Sequence, residues 1–183
     1  MIKKLLLSLC LAATSHGLSA LEVNESLPAI SVSDKGELLI SGDDASYRDW
    51  DTTAFSQDKA NLIIHIAGRT SSNELIKPFT DRLSTEKFGS DKLRNTTIIN
   101  LDDAVWGTSG MVADKIKDKK IKHPESIFVL DADGDIRDEW DLESESAAII
   151  VLSNTGEVAY LKQGEMTQDD IEQAISAIKQ QLP

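Results

Sequence analysis

The chain has 183 residues, with 31 acidic against 19 basic side chains and a formal net charge of -12. That balance excludes the electrostatic footprint of a nucleic-acid binder, whose affinity comes mainly from lysine and arginine displacing counterions from phosphates. Cys10 is the single cysteine, and the four prolines and ten glycines are dispersed, so one compact domain is expected with no linker and no low-complexity tract.

In chain order, the first element is a leader. Lys3 and Lys4, an apolar run from Leu5 to Ala13 and the stretch ending Leu18-Ser19-Ala20 are the features of an export signal cleaved after Ala20. The run is about half of the roughly 20 apolar residues a membrane-crossing helix needs, and bulky Leu9 before Cys10 does not suit lipid attachment. Residues 1–20 are therefore read as a cleaved signal peptide and 21–183 as the mature domain, periplasmic in a Gram-negative source. No later segment reads as a membrane span. Cleavage removes two lysines and the only cysteine, taking the net charge from -12 to -14. An oxidising compartment would then find no thiol to oxidise.

Glu37-Leu38-Leu39-Ile40 reads as a short strand entering a turn at Gly42-Asp43-Asp44, with Tyr47 and Trp50 expected to pack together as an aromatic lid. Asn61 to Ala67 is a near-continuous apolar run of strand length, the pattern of a strand buried on both faces. Leu75, Ile76, Phe79 and Leu83 have helical spacing; Asn73 is the expected cap and Pro78 predicts a kink or a late start. A strand through Thr97 to Asn100, a helix from Met111 to Lys120, and strands at Ile127 to Leu130 and Ile149 to Leu152 follow. The last helix carries the clearest signal: Thr167 and Asp170 form a capping pattern, and Ile171, Ala174, Ile175, Ile178 and Leu182 lie on one stripe. Strands alternating with helices predict an α/β fold with parallel pairs in a mixed central sheet flanked by helices.

Residues 127–136 and 149–158 resemble each other: an apolar strand, a polar turn ending in Gly134 or Gly156, and the start of what reads as a return strand. Both are expected to be hairpin turns. Three aspartates in the first invite a calcium reading, but glycine is fourth rather than sixth and Leu142 stands where an EF-hand places its glutamate. The eight acids between Asp131 and Glu145, and the lysines from Lys115 to Lys122, are read as solvated faces.

His65-Ile66-Ala67-Gly68-Arg69-Thr70-Ser71, Ile99-Asn100-Leu101-Asp102-Asp103-Ala104, Trp106-Gly107-Thr108-Ser109-Gly110-Met111 and Ser146 to Leu152 together resemble the YtfJ family of exported Gram-negative proteins over nearly the whole mature chain. The resemblance implies a thioredoxin-like domain. On that frame the active loop spans Ala67 to Asn73, where a Cys-x-x-Cys pair is replaced by Gly68, Arg69, Thr70 and Ser71, and Ala147 takes the place of the usual cis-proline. Thiol-disulfide exchange and thiol peroxidase chemistry are then not expected, because a hydroxyl supplies neither a stable anion at neutral pH nor a redox couple.

What remains is a helix N-terminus with Arg69 and the hydroxyls of Thr70, Ser71 and Ser72, a set of hydrogen-bond donors suited to anions or carboxylates. His65, Gly68, Arg69, Thr70, Ser71, Ser72, Ser146 and Ala147 are the candidate contacts for a ligand or partner. His65 within an apolar strand also reads as a core residue, and Arg69 as a structural arginine paired with an acid. Ser71 or Ser72 with His65 lacks the nucleophile elbow of a serine hydrolase, and no metal site or cofactor is expected. The leading expectation is a domain that binds an envelope protein or peptide; the alternative is a thiol-independent enzyme or binding protein acting on a small anionic ligand at the same loop. The Trp106 to Gly110 loop reads either as a second binding site or as a tight connection.

Overall fold

The computed structural model describes residues 21–42, 44–55 and 57–183, so the leader reading lies outside the described residues. Seven strands, β1 (Ser31–Ser41), β2 (Asp44–Asp51), β3 (Ala60–Ala67), β4 (Leu93–Asn100), β5 (Ile127–Asp131), β6 (Ala147–Leu152) and β7 (Val158–Gln163), form one sheet in the order β2-β1-β5-β4-β3-β6-β7. The three central strands β5, β4 and β3 run parallel, and the remaining pairs are antiparallel. Helices α1 (Thr70–Glu86), α2 (Ser109–Lys122), α3 (Asp135–Glu139) and α4 (Gln168–Gln181) connect or close the sheet.

The unbroken apolar run predicted for β3 has its physical reason in the two cores. Leu62, Ile64 and Ile66 face one cluster with Ile76 and Phe79 of α1, Ile116 of α2 and Ile171, Ala174, Ile175 and Ile178 of α4. Ile63 faces the other, with Ile98, Val129 and Ile150 of neighbouring strands, Ile136 and Trp140 around α3, and Trp50. All eight β3 residues are buried. Burying each of these large side chains removes apolar area from water worth about 1.5–3 kcal/mol. At the start of α4 the side chains of Thr167 and Asp170 each bond the other's backbone N–H, the predicted capping box.

Four local expectations are corrected. Tyr47 and Trp50 form no lid: Trp50 is buried edge-on to Phe55, while Tyr47 is exposed beneath the Lys35 ammonium. Three residues apart on a strand, they point to opposite faces. Asn73 is not the cap, because α1 starts three residues earlier with Arg69 at its N-cap, and Asn73 instead donates to the Arg69 carbonyl. Of the two outcomes read for Pro78, a kink or a late start, the late start does not occur: α1 begins at Thr70 and the proline sits inside it. After β5 there is no hairpin. Gly134, at φ 77, opens α3, and the Asp131 carboxylate accepts from the backbone N–H groups of Gly134, Asp135 and Ile136. A carboxylate bonding three successive amides winds the chain into a helical turn rather than a return strand. The second turn, at Ser153 to Gly156, is the predicted hairpin between β6 and β7.

Candidate functional site

The candidate loop lies at the C-terminal ends of β3 and β4. Gly68 donates its N–H to the Asn100 carbonyl at 2.7 Å. A Cβ built on Gly68 would stand 2.9 Å from that same carbonyl oxygen and 3.1 Å from Ala104 Cβ, so this glycine exists to let the loops after β3 and β4 touch. On the other side, the Ala67 N–H donates to the Ser146 carbonyl, and Ala147 pairs with Ile66. The fold thus brings Gly68, Arg69 and Ser72 together with Ser146 and Ala147.

Most polar groups of this cluster are engaged with one another. Arg69 Nε donates to the Asp103 carbonyl at 2.7 Å and its Nη1 lies 2.6 Å from Glu145 Oε2. The buried Ser72 hydroxyl donates to the Glu145 carbonyl, and the Ser146 hydroxyl to Glu143. Asp103 is the hub: one carboxylate oxygen accepts from Asn100 Nδ2 and the Glu145 N–H, and the other accepts from Arg137, which also reaches Asp102. Asn100 accepts in turn from the N–H groups of Asp102 and Asp103, an Asx turn ending β4. Three carboxylates around Arg137 hold its guanidinium protonated well above the ordinary arginine range. Glu145 has a positive φ of 58 and is held there through its N–H, its carbonyl and its carboxylate together.

His65 stands apart from the loop hydroxyls. It pairs across the sheet with Ile98 and Ala148, both members of the second core, so its ring points away from α1. Its Nε2 is buried without a hydrogen-bond partner. Burial pushes its pKa down to about 4; the Asp103 charge opposes this and Arg137 adds to it. The ring is neutral at neutral pH, and among the described residues no hydrogen bond joins it to Ser71 or Ser72, whose own hydroxyl donates to the Glu145 carbonyl. Ser71 and Thr70 are the exposed hydroxyls of the loop.

Beside this tied cluster, between the start of α1 and α2, lies an open groove of about 440 Å³. Gly68, Arg69, Thr70 and Asn73 of the predicted loop form one wall, and Val105, Thr108, Met111, Val112, Lys115 and Lys119 form the other over a floor of Ile66, Ile99 and Ile116. Trp106, between two lining residues, is 97% exposed, and Val105 and Met111 are exposed as well. Among the described residues no group of three or more His, Cys, Asp or Glu side chains is placed to hold a metal, and no helix is long and apolar enough to cross a membrane. Sequence reasoning assigned no role to Asp103, Asn100, Glu145 or Arg137. The Asn100-x-x-Asp103 spacing at a strand end was the available sign, since such asparagines fold back on their own backbone.

The strand order, the parallel centre and the helix springing from β3 define a thioredoxin-like domain. In solved structures the same fold recurs in the thiol peroxidase from Chromobacterium violaceum, with a TM-score of 0.57 and 15% identity over 88% of each chain. The chain belongs to the family described as bacterial protein of unknown function YtfJ_HI0045, whose model matches residues 21–181. It is 36% identical over 158 residues to an uncharacterized protein of Haemophilus influenzae, covering 86% of this chain and 85% of that one. It is 31% identical over 185 residues to the uncharacterized protein YtfJ of Escherichia coli, covering 99% and 98% of the two chains.

Proposed function

We propose that this protein is an exported thioredoxin-like domain that works without thiols, as a periplasmic binding module for a protein or peptide partner. The observation that carries this reading is the open groove flanked by a nearly fully exposed Trp106, next to a loop whose Arg69 and Ser72 are already committed to Asp103 and Glu145. An indole left in water beside an apolar cavity is the surface that partner binding covers, since tryptophan is enriched at the energetic centres of interfaces. The binding face therefore extends from Gly68 to Asn73 toward α2, on the side of the loop away from Ser146 and Ala147. The export and periplasmic parts of the reading rest on Lys3, Lys4 and the apolar run behind them.

The test is photocrosslinking in living cells, with the reactive group at Ser71 or Trp106 and a control at exposed Ser176 on α4. A discrete protein adduct from the first two positions and none from Ser176 is the expected result. Equal labelling at all three would remove this face as the binding site.

A further inference from the structure

Resting on that reading, we infer that the segment bound in the groove is acidic as well as apolar: a short stretch of a partner protein whose large hydrophobic side chains fill the floor while its carboxylates meet Lys115 and Lys119. The chain carries 31 acids against 19 bases, yet the groove lining holds three cations and no acid. Arg69 is neutralised by Glu145. Lys115 and Lys119 are exposed and form no ion pair among the described residues, so unlike Arg69 both keep a full positive charge on the groove wall.

Their spacing makes the pair a ligand-facing device. Met111, Lys115 and Lys119 recur every four residues, so they form a single stripe along α2 on the groove side, with Ile116 buried beneath. Neither acid of the same helix, Asp114 or Asp118, lines the groove, and Asp114 lies near enough to Tyr47 of β2 to act on it. Two ammonium groups about one helical turn apart, roughly 6 Å, match carboxylates on an extended or helical segment better than one compact anion. The groove is open rather than enclosed and Trp106 stands clear of its floor, which fits a polypeptide segment and not a small molecule that a pocket must surround. The negative charge of the whole domain slows approach of an acidic partner, but exposed charges beyond about 8–10 Å are screened at physiological salt, leaving the lysines to decide at contact.

A random dodecapeptide phage library, panned on the intact protein and in parallel on the Lys115→Glu/Lys119→Glu and Trp106→Ala variants, separates the possibilities. Circular dichroism checks that the exposed substitutions leave the fold intact, and Lys115→Gln/Lys119→Gln serves as a milder second variant. The expected result is enrichment of peptides combining Asp or Glu with Trp, Phe, Leu or Ile. A synthetic copy should lose roughly tenfold in affinity to the charge-reversed protein and lose binding to Trp106→Ala. Enriched peptides with no excess of acid, still dependent on Trp106, would overturn the charge inference and leave the groove as the binding site. No enrichment, or peptides indifferent to Trp106 and both lysines, would overturn the groove reading as well.

Discussion

Two neighbouring regions at the C-terminal edge of the sheet are built on opposite principles. The knot around Asp103 joins Asn100, Arg69, Arg137 and Glu145 through hydrogen bonds and ion pairs. The groove beside it leaves Val105, Trp106, Met111 and two lysines in water. Arg69 and Ser72, candidate ligand contacts by sequence, lock the loop, in keeping with the alternative reading of Arg69 as a structural arginine. The Trp106 loop, readable as a second binding site or a tight connection, and a helix face read as solvated carry the exposed surface. A polar residue at an expected active position is therefore weak grounds for binding until its partners are known.

Mutations that damage the knot should cost stability, and those in the groove should cost binding alone. The largest effect is expected from Asp103→Ala, which removes one of the three carboxylates on Arg137 and leaves Asn100 Nδ2 and the Glu145 N–H without their acceptor: about 3–5 kcal/mol lost in denaturant titration, since each buried donor left unpaired costs about 1–3 kcal/mol. A loss below about 1 kcal/mol would show that the knot is ornamental.

Next in size is the pH response of His65. Its folded pKa, about 4, lies below the unfolded value near 6.5, so between these values the unfolded chain binds a proton that the folded chain does not. Its contribution is complete above pH 6.5 and falls as the pH drops toward 4, by about 3 kcal/mol. Chemical denaturation of the wild type and His65→Leu across this window should show a shallower decline in the variant; parallel curves would place the acid sensitivity elsewhere.

Gly68→Ala should cost about 1–3 kcal/mol, because the new Cβ meets the Asn100 carbonyl oxygen at 2.9 Å and Ala104 at 3.1 Å. Thermal melts would detect this as a clear drop in Tm. The smallest change is predicted for Trp106→Ala, within about 0.5 kcal/mol of wild type, since a residue 97% exposed gives up almost no folded contact. Appreciable unfolding of that variant would mean the indole is structural, and the contrast between the regions would collapse.

How much of this was legible follows from what each signal depends on. β3 and α4 were readable because a doubly buried strand must be apolar throughout, and because a capping box and a stripe lie within one helix. Ile175→Ala should accordingly cost about 2–5 kcal/mol. The start of α1 was misplaced because Arg69, at its N-cap, makes no capping bond through its side chain. The turn after β5 was misread because Asp131 decides it with three amide bonds, and neither strand nor turn propensity shows that. The position of the candidate loop was visible from the resemblance. Asp103 was not, since its partners Arg137 and Glu145 lie 34 and 42 residues away and only the folded sheet unites them.

The edge strand β2 pairs on one side only, with β1, and its residues are exposed except Trp50. Three of its eight residues are aspartates, against one arginine. A second copy aligning there would set carboxylate rows face to face, so the strand repels its own kind at neutral pH. Added salt would screen that fence, so the first sign of self-association should be sought as ionic strength rises rather than at high protein concentration.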